Sequence, residues 1–267
     1  MAIPPLIYCA DGNEHFARTA VNAGYAYGAR MPATVYLEPE FVDQDWKKAK
    51  CNQHRKTIAP KCKACAEKRQ KLYHVYMERL EEHRPKSATV IDWEWQSQIH
   101  EVLEWAESAA AFVETIIIIP KVHGGVAQLS RRIGNRDIRL GFSVATGYGA
   151  TPVTLFEFIG WPVHLLGGSP GQQLLLSHYL DVASADGNMM LKMATEHCAF
   201  WQPGKKPFKN SWPSLKQAND GRKWGDGSPT ANAHHEAFRR SCANIMEAWQ
   251  KRFLYNYAST LTKTAAQ

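Results

Sequence analysis

Two short apolar runs constrain the fold of this chain more than any other feature. Val163-His164-Leu165-Leu166 leads into Gly167-Gly168-Ser169-Pro170, and Val182-Ala183-Ser184-Ala185 leads into Asp186-Gly187-Asn188. An amphipathic stretch over residues 172–180 separates them. The order is strand, glycine turn, helix, strand, carboxylate. Parallel strands need such a crossover, and their carboxyl ends gather on one face, where α/β proteins place reactive groups. Asp186 is therefore the first candidate for chemistry.

Similar apolar segments recur at residues 6–10, 25–29, 34–37, 88–92, 115–120 and 138–144, several ending in Gly or Asp. Eight in sequence predict an α/β fold of the (β/α)8 TIM type, with an open doubly wound sheet as the alternative. Residues 39–46 read as a connecting turn or helix. Helices are expected after Asp11-Gly12-Asn13, over residues 73–82, and where Ile99, Val102, Leu103, Ala106 and Ala110 recur at helical spacing. The 267 residues fit one such barrel, residues 1–195, interrupted by a basic segment at 47–71. Residues 196–267 read as an aromatic-rich loop and a closing helix. Phe238, Cys242, Ile245, Met246, Trp249, Phe253 and Tyr257 form that helix's apolar stripe, which packs over the barrel, a homodimer contact being the lesser alternative. No apolar run approaches the roughly 18–20 residues of a membrane span. The first residues lack the pattern of a signal peptide. A cytoplasmic location is expected, and no membrane partner.

Charge is concentrated. Residues 47–71 hold ten basic side chains against Glu67, while the whole chain is only +7. Such a segment on a near-neutral body suits a nucleic acid, with a solvated charged face as the alternative. Within it lies Cys51-x2-His54-x7-Cys62-x2-Cys65. Two pairs with two-residue gaps can each clamp one ion through a tight turn, and three thiolates with one imidazole suit a closed, structural Zn2+ site. Lys47, Lys48, Arg55, Lys56 and Lys63 around it would meet phosphates without reading sequence. Arg131 and Arg132 are expected to add nucleic-acid-binding charge near the barrel mouth, with a plain surface loop as the alternative.

Asp11, Asp92 and Asp186 each end an expected strand. Singly, each reads as a helix cap; together at one barrel mouth they suit acid/base or nucleophilic work. Gly124-Gly125 and Gly167-Gly168 follow strands too and would let a ligand approach backbone N–H groups. His164, inside a strand, reads as a core histidine.

The run Val163 to Pro170, followed by Ser184-Ala185-Asp186, resembles the tRNA-guanine transglycosylase superfamily, nearest to the phage DNA-guanine transglycosylases called DpdA. Residues 88–92 resemble its guanine-binding strand, and Ile119-Pro120-Lys121-Val122-His123-Gly124-Gly125 its strand ending in V-Q-G-G. The resemblance spans roughly residues 85–195, and 1–40 more loosely. The family's late zinc motif and its early D-S-G-G signature are absent. The resemblance implies guanine exchange in DNA for a 7-deazaguanine base. Asp186 is then the covalent nucleophile and Asp11 the general acid/base. Asp92 and Lys121 meet the base edge, with backbone N–H groups at Gly124, Gly125, Gly167 or Gly168 on O6. Tyr8, Phe142, Tyr148 or Trp93 would sandwich the ring, and the target guanine must be single-stranded or flipped. A phage-encoded enzyme of this kind works in the host cytoplasm. The alternatives are a tRNA-guanine transglycosylase, a non-catalytic zinc-containing nucleic-acid-binding protein, and a barrel enzyme acting on a small molecule.

Overall fold

The computed structural model describes residues 2–10, 13–45, 47–54, 59–145, 150–206, 208–215 and 229–264, side chains in the last stretch only from 233 to 254. The chain runs β1 (Leu6–Cys9), α1 (Glu14–Asn22), β2 (Ala26–Met31), β3 (Phe41–Gln44), α2 (Lys63–His83), β4 (Ser87–Thr89), α3 (Ile99–Ala109) and β5 (Thr115–Ile118). It continues through β6 (Arg132–Ile133), β7 (Arg136–Ser143), β8 (Pro162–Leu166), α4 (Pro170–Leu176), β9 (Asp181–Gly187) and α5 (Met189–His197). A small hairpin, β10 (Gln202–Pro203) and β11 (Asn210–Ser211), precedes α6 (Pro229–Thr264).

Eight parallel strands follow the order β5-β4-β3-β2-β1-β9-β8-β7, and pairing of β5 with β7 closes the ring. That closure decides for the barrel over the open sheet. β6 hangs antiparallel on β7 outside the ring.

The two-residue side-chain period sorts each strand into two faces. Outward residues such as Tyr8, Ile116, Leu140, Val163 and Leu165 join the helices in the main core. Inward residues Ile7, Cys9, Phe41, Ile117 and Ile119 form a small separate cluster inside the ring. A Cβ on Gly141 would come 2.7 Å from Ile119 and Leu166, so glycine there makes room for large neighbours. Beside this apolar plug the interior turns polar, with Thr89, His164 and Ser184 all buried.

The third strand lies later than the sequence pattern placed it. Over residues 34–37 the backbone is not in the sheet, and Tyr36 N–H donates to the Tyr27 hydroxyl, 3.1 Å. The barrel takes residues 41–44 instead, where Phe41, Val42 and Gln44 are buried. The expected short helix at 73–82 is the second half of α2, which begins at Lys63. The basic segment is thus continuous with a barrel helix.

α6 packs along α1 and α5, burying Phe238, Cys242, Ile245 and Trp249. Trp249 Nε1 donates to Pro4 O, 2.8 Å, and Phe238 meets Tyr8 edge-on. The described part of the apolar stripe therefore packs on the barrel of its own chain, while the Tyr257 side chain lies outside the described residues. Burying each such side chain stabilises the fold by roughly 1.5–3 kcal/mol. Among the described residues, no helix is long and apolar enough to cross a membrane.

Candidate functional site

Asp186 ends β9 with its side chain inside the ring, 12% exposed. β8 fixes its surroundings. Leu166 is its register partner, and the chain then turns through Gly167 and Gly168, both at positive φ. Gly167 N–H donates to Asp186 O, 3.1 Å, and to Oδ1, 3.2 Å. Gln173 Nε2 reaches back from α4 to Gly167 O and Asp186 O, at 2.7 and 2.6 Å. A Cβ on Gly168 would sit 2.3 Å from Val144, so only glycine fits that corner. The turn delivers Ser169 as N-cap of α4, in a capping box with Gln172. Asp186 itself caps nothing; its carboxylate is held at a strand end by backbone.

Behind it runs a buried polar chain. His164 Nε2 stands 3.3 Å from Asp186 Oδ1, close enough for an ion pair but out of hydrogen-bonding alignment. Its Nδ1 bonds Ser184 Oγ, 2.8 Å, and Arg139 Nη1 donates to the same hydroxyl, 3.3 Å. His164 is fully buried, as a core histidine would be, yet it touches the candidate nucleophile.

A carboxylate that the sequence pattern did not flag joins the site. Asp43 lies on β3, and Thr89 Oγ1 on β4 donates to its Oδ1, 2.9 Å. Burial raises its pKa to about 8, helped by the charges of Asp186 and Asp92, and opposed by the Thr89 bond and Arg30. It is densely surrounded but keeps partial exposure. Asp43 therefore carries a proton near neutral pH. The sequence offers little signal for it, because Phe41-Val42-Asp43-Gln44 does not alternate apolar with polar and the third strand is expected at residues 34–37.

Asp92 follows β4 and Lys121 follows β5, brought level by the Trp93–Pro120 bridge. Lys121 Nζ donates to Asp92 Oδ2, 2.5 Å, both largely buried. Burial opposes the Lys121 charge, but Asp92, with Glu94 and Asp43, outweighs it, so the ammonium is held above its ordinary range.

Cys51, His54, Cys62 and Cys65 converge between β3 and α2, all four ligand atoms within 4.8 Å of one another. Cys51 Sγ is 3.1 Å from His54 Nδ1 and 4.0 Å from Cys62 Sγ. Cys65 Sγ lies 3.7 Å from His54 Nδ1. Burial disfavours the Cys51 thiolate, yet hydrogen bonds from His54, Cys65 and nearby backbone outweigh it and lower the thiol to about 6. The group could hold a metal ion. Because it follows the carboxyl end of β3, it lies on the side of Asp186. Lys50 pairs with Glu94 at 2.6 Å, both 11% exposed, and Arg69 pairs with Glu101 beside Trp95. These contacts clamp the cluster to the loop just after Asp92.

A family model matches residues 20–250. The chain belongs to DUF6610, a family of unknown function. No curated protein matches it. The DUF6610 match includes Asp43, Asp92, Lys121, Asp186 and all four cluster residues, and it omits β1.

Other expected site residues fare differently within this DUF6610 member. Asp11, Arg55, Lys56 and Tyr148 lie outside the described residues. Lys47, Lys48 and Lys63 are exposed around the cluster. Arg131 and Arg132 do not join the site, because the β6–β7 hairpin carries them to the opposite end of the barrel. There Arg131 stacks on Trp161 and Arg132 pairs with Asp137. Gly124 N–H is taken by Glu157 Oε2 and Gly125 N–H by Val122 O, so neither is available to a base oxygen. Gly168 N–H meets no acceptor among the described residues. Tyr8 and Phe142 face outward by strand alternation, against Phe238 and Phe158, and Trp93 is fully buried. None of these three can sandwich a base at the mouth.

Proposed function

We propose that this chain is a base-exchanging transglycosylase that replaces guanine in DNA with a 7-deazaguanine base. The observation that carries the reading is that Asp186 on β9 and Asp43 on β3 both face the interior of one barrel, near enough for the Asp186 charge to help raise the Asp43 carboxyl. A carboxyl whose pKa is raised can serve as the acid beside a second carboxyl that serves as nucleophile. The Asp186 carboxylate attacks C1′ of the nucleotide as the C1′–N9 bond breaks, through an oxocarbenium-like transition state. Asp43 gives its proton to the leaving guanine and takes one from the incoming base. That base then attacks C1′ and frees Asp186. Asp43 thus takes the role that the resemblance assigned to Asp11.

Lys121 and Asp92 set a donor beside an acceptor. Guanine offers O6 as acceptor next to N–H donors, so the pair matches its edge. The target nucleotide has to leave the stack. For the Cys51, His54, Cys62 and Cys65 cluster we propose structural zinc, since tetrahedral Zn–S bonds of about 2.3 Å set ligands roughly 3.8 Å apart. It would brace the loop that carries Asp92. The exposed lysines around it also favour a second reading, a non-catalytic nucleic-acid-binding protein. The deciding experiment is incorporation of labelled guanine or 7-deazaguanine into single-stranded DNA, with RNA in parallel. Exchange lost in Asp186→Asn, with DNA binding intact, supports the enzyme. Tight binding without exchange under any base leaves the second reading.

A further inference from the structure

Away from the barrel interior, a cavity of about 410 Å3 opens between α4, the β10–β11 hairpin and α6. That lies within the roughly 300–1,000 Å3 of ligand sites. Its wall combines aromatic and cationic groups, Phe208, His178, Lys206, Lys209, Lys251 and Arg252, and no acidic side chain lines it among the described residues. Lys206 and Lys209 have no carboxylate partner among the described residues, whereas Lys251 pairs with Glu247 on α6, 2.5 Å. Arg252 binds the end of α4 through Ser177, and its buried Nη1 has no hydrogen-bond partner.

Phe208 is the unusual member. It is a non-glycine residue at φ 59°, 40% exposed, with its ring edge-on to His178 at 4.9 Å. Backbone strain of this kind persists where the surroundings enforce it, and it clusters at ligand sites. Here the enforcement is visible. Asn210 Oδ1 accepts from Gly171 N–H and Trp201 Nε1, at 2.9 and 2.7 Å, and its Nδ2 donates to Ser169 Oγ, 3.0 Å. A Cβ on Gly171 would lie 2.5 Å from Phe208 O, so the hairpin is seated on the start of α4. That start continues directly from the Gly167–Ser169 turn that holds Asp186.

We propose that this cavity binds a nucleotide flanking the target in a single-stranded nucleic acid, its base stacked on Phe208 and its phosphate met by Lys206 and Lys209. Aromatic faces with interleaved cations are what single strands need from a sequence-tolerant site. The inference rests on the nucleic-acid substrate proposed above and gives that strand its path from the mouth.

The test is fluorescence anisotropy with a labelled single-stranded oligonucleotide, using the whole protein and a salt series. Lys206→Glu with Lys209→Glu is expected to weaken binding about tenfold or more and to flatten the salt slope. Phe208→Ala is expected to weaken it about tenfold at unchanged slope, with Phe208→Trp restoring it. Binding within about twofold of wild type in both variants would overturn the proposal, as would free GMP occupying the cavity at concentrations where the oligonucleotide does not. Because binding is read separately from exchange, the two readings fail separately. Absent exchange with these losses intact would sink the transglycosylase and keep the cavity; exchange with neutral variants would do the reverse.

Discussion

Removing the charge that Asp43 can acquire tests the electrostatics of the barrel interior. Its carboxyl is raised from 3.8 to about 8. At about 1.4 kcal/mol for each tenfold change in proton affinity, ionising it would cost the fold at most about 5–6 kcal/mol. Only the part above pH 5.5 is read between pH 5.5 and 9, at most about 3–4 kcal/mol, and the partial exposure of Asp43 trims this to about 2–3 kcal/mol. The sign follows from linkage. The folded carboxyl binds its proton more tightly than the unfolded one. Its stabilising contribution is complete below about pH 4 and is lost as pH rises through about 8. Asp43→Asn cannot ionise and escapes that loss. Urea denaturation of both proteins near pH 5.5 and near pH 9 isolates the effect, because every other titration is shared. On going to the higher pH, the variant should gain about 2–3 kcal/mol on wild type. A stability difference that is the same at both pH values would refute the reasoning.

Other expectations follow from named contacts. Asp186→Asn should lower base exchange by about three orders of magnitude or more while oligonucleotide affinity stays within about twofold, as for loss of a covalent nucleophile. Lys121→Met should raise the KM for the incoming base more than it lowers kcat, since it removes one donor to the base edge and leaves Asp92 unneutralised; an unchanged KM counts against that role. Purified protein should carry about one equivalent of zinc by elemental analysis, and Cys62→Ser should lose it together with thermal stability. Trp249→Ala should cost about 3–5 kcal/mol in denaturant unfolding, through the cavity left between α6 and the barrel.

How much of this was legible in the sequence depended on whether a local pattern had one meaning. β8, β9 and the turn between them were readable, because apolar runs bounded by Gly-Gly and Asp-Gly leave little choice. So was the Cys51 to Cys65 spacing, which fixes ligand proximity by chain connectivity alone. The third strand was not. Residues 34–37 are short and the more apolar of the two candidates, and only tertiary pairing with β2 and β4 selects residues 41–44. That one displacement concealed Asp43, since a residue in a connecting turn does not point into a barrel. His164 was legible as buried but not as a neighbour of Asp186, because the contact depends on which face of β8 lies inside the ring. The placement of Arg131 and Arg132 turned on the two-residue strand β6, too short to show any period.

The central claim is that Asp186 becomes covalently bonded to the sugar it attacks. Incubating the protein with single-stranded DNA in the absence of an acceptor base, then denaturing, digesting and weighing the peptides, reads this directly. The expected product is a nucleotide-linked peptide whose modified residue is Asp186, absent in Asp186→Asn and discharged by added 7-deazaguanine. Exchange-active protein that carries no such adduct, or carries it on Asp43, would contradict it.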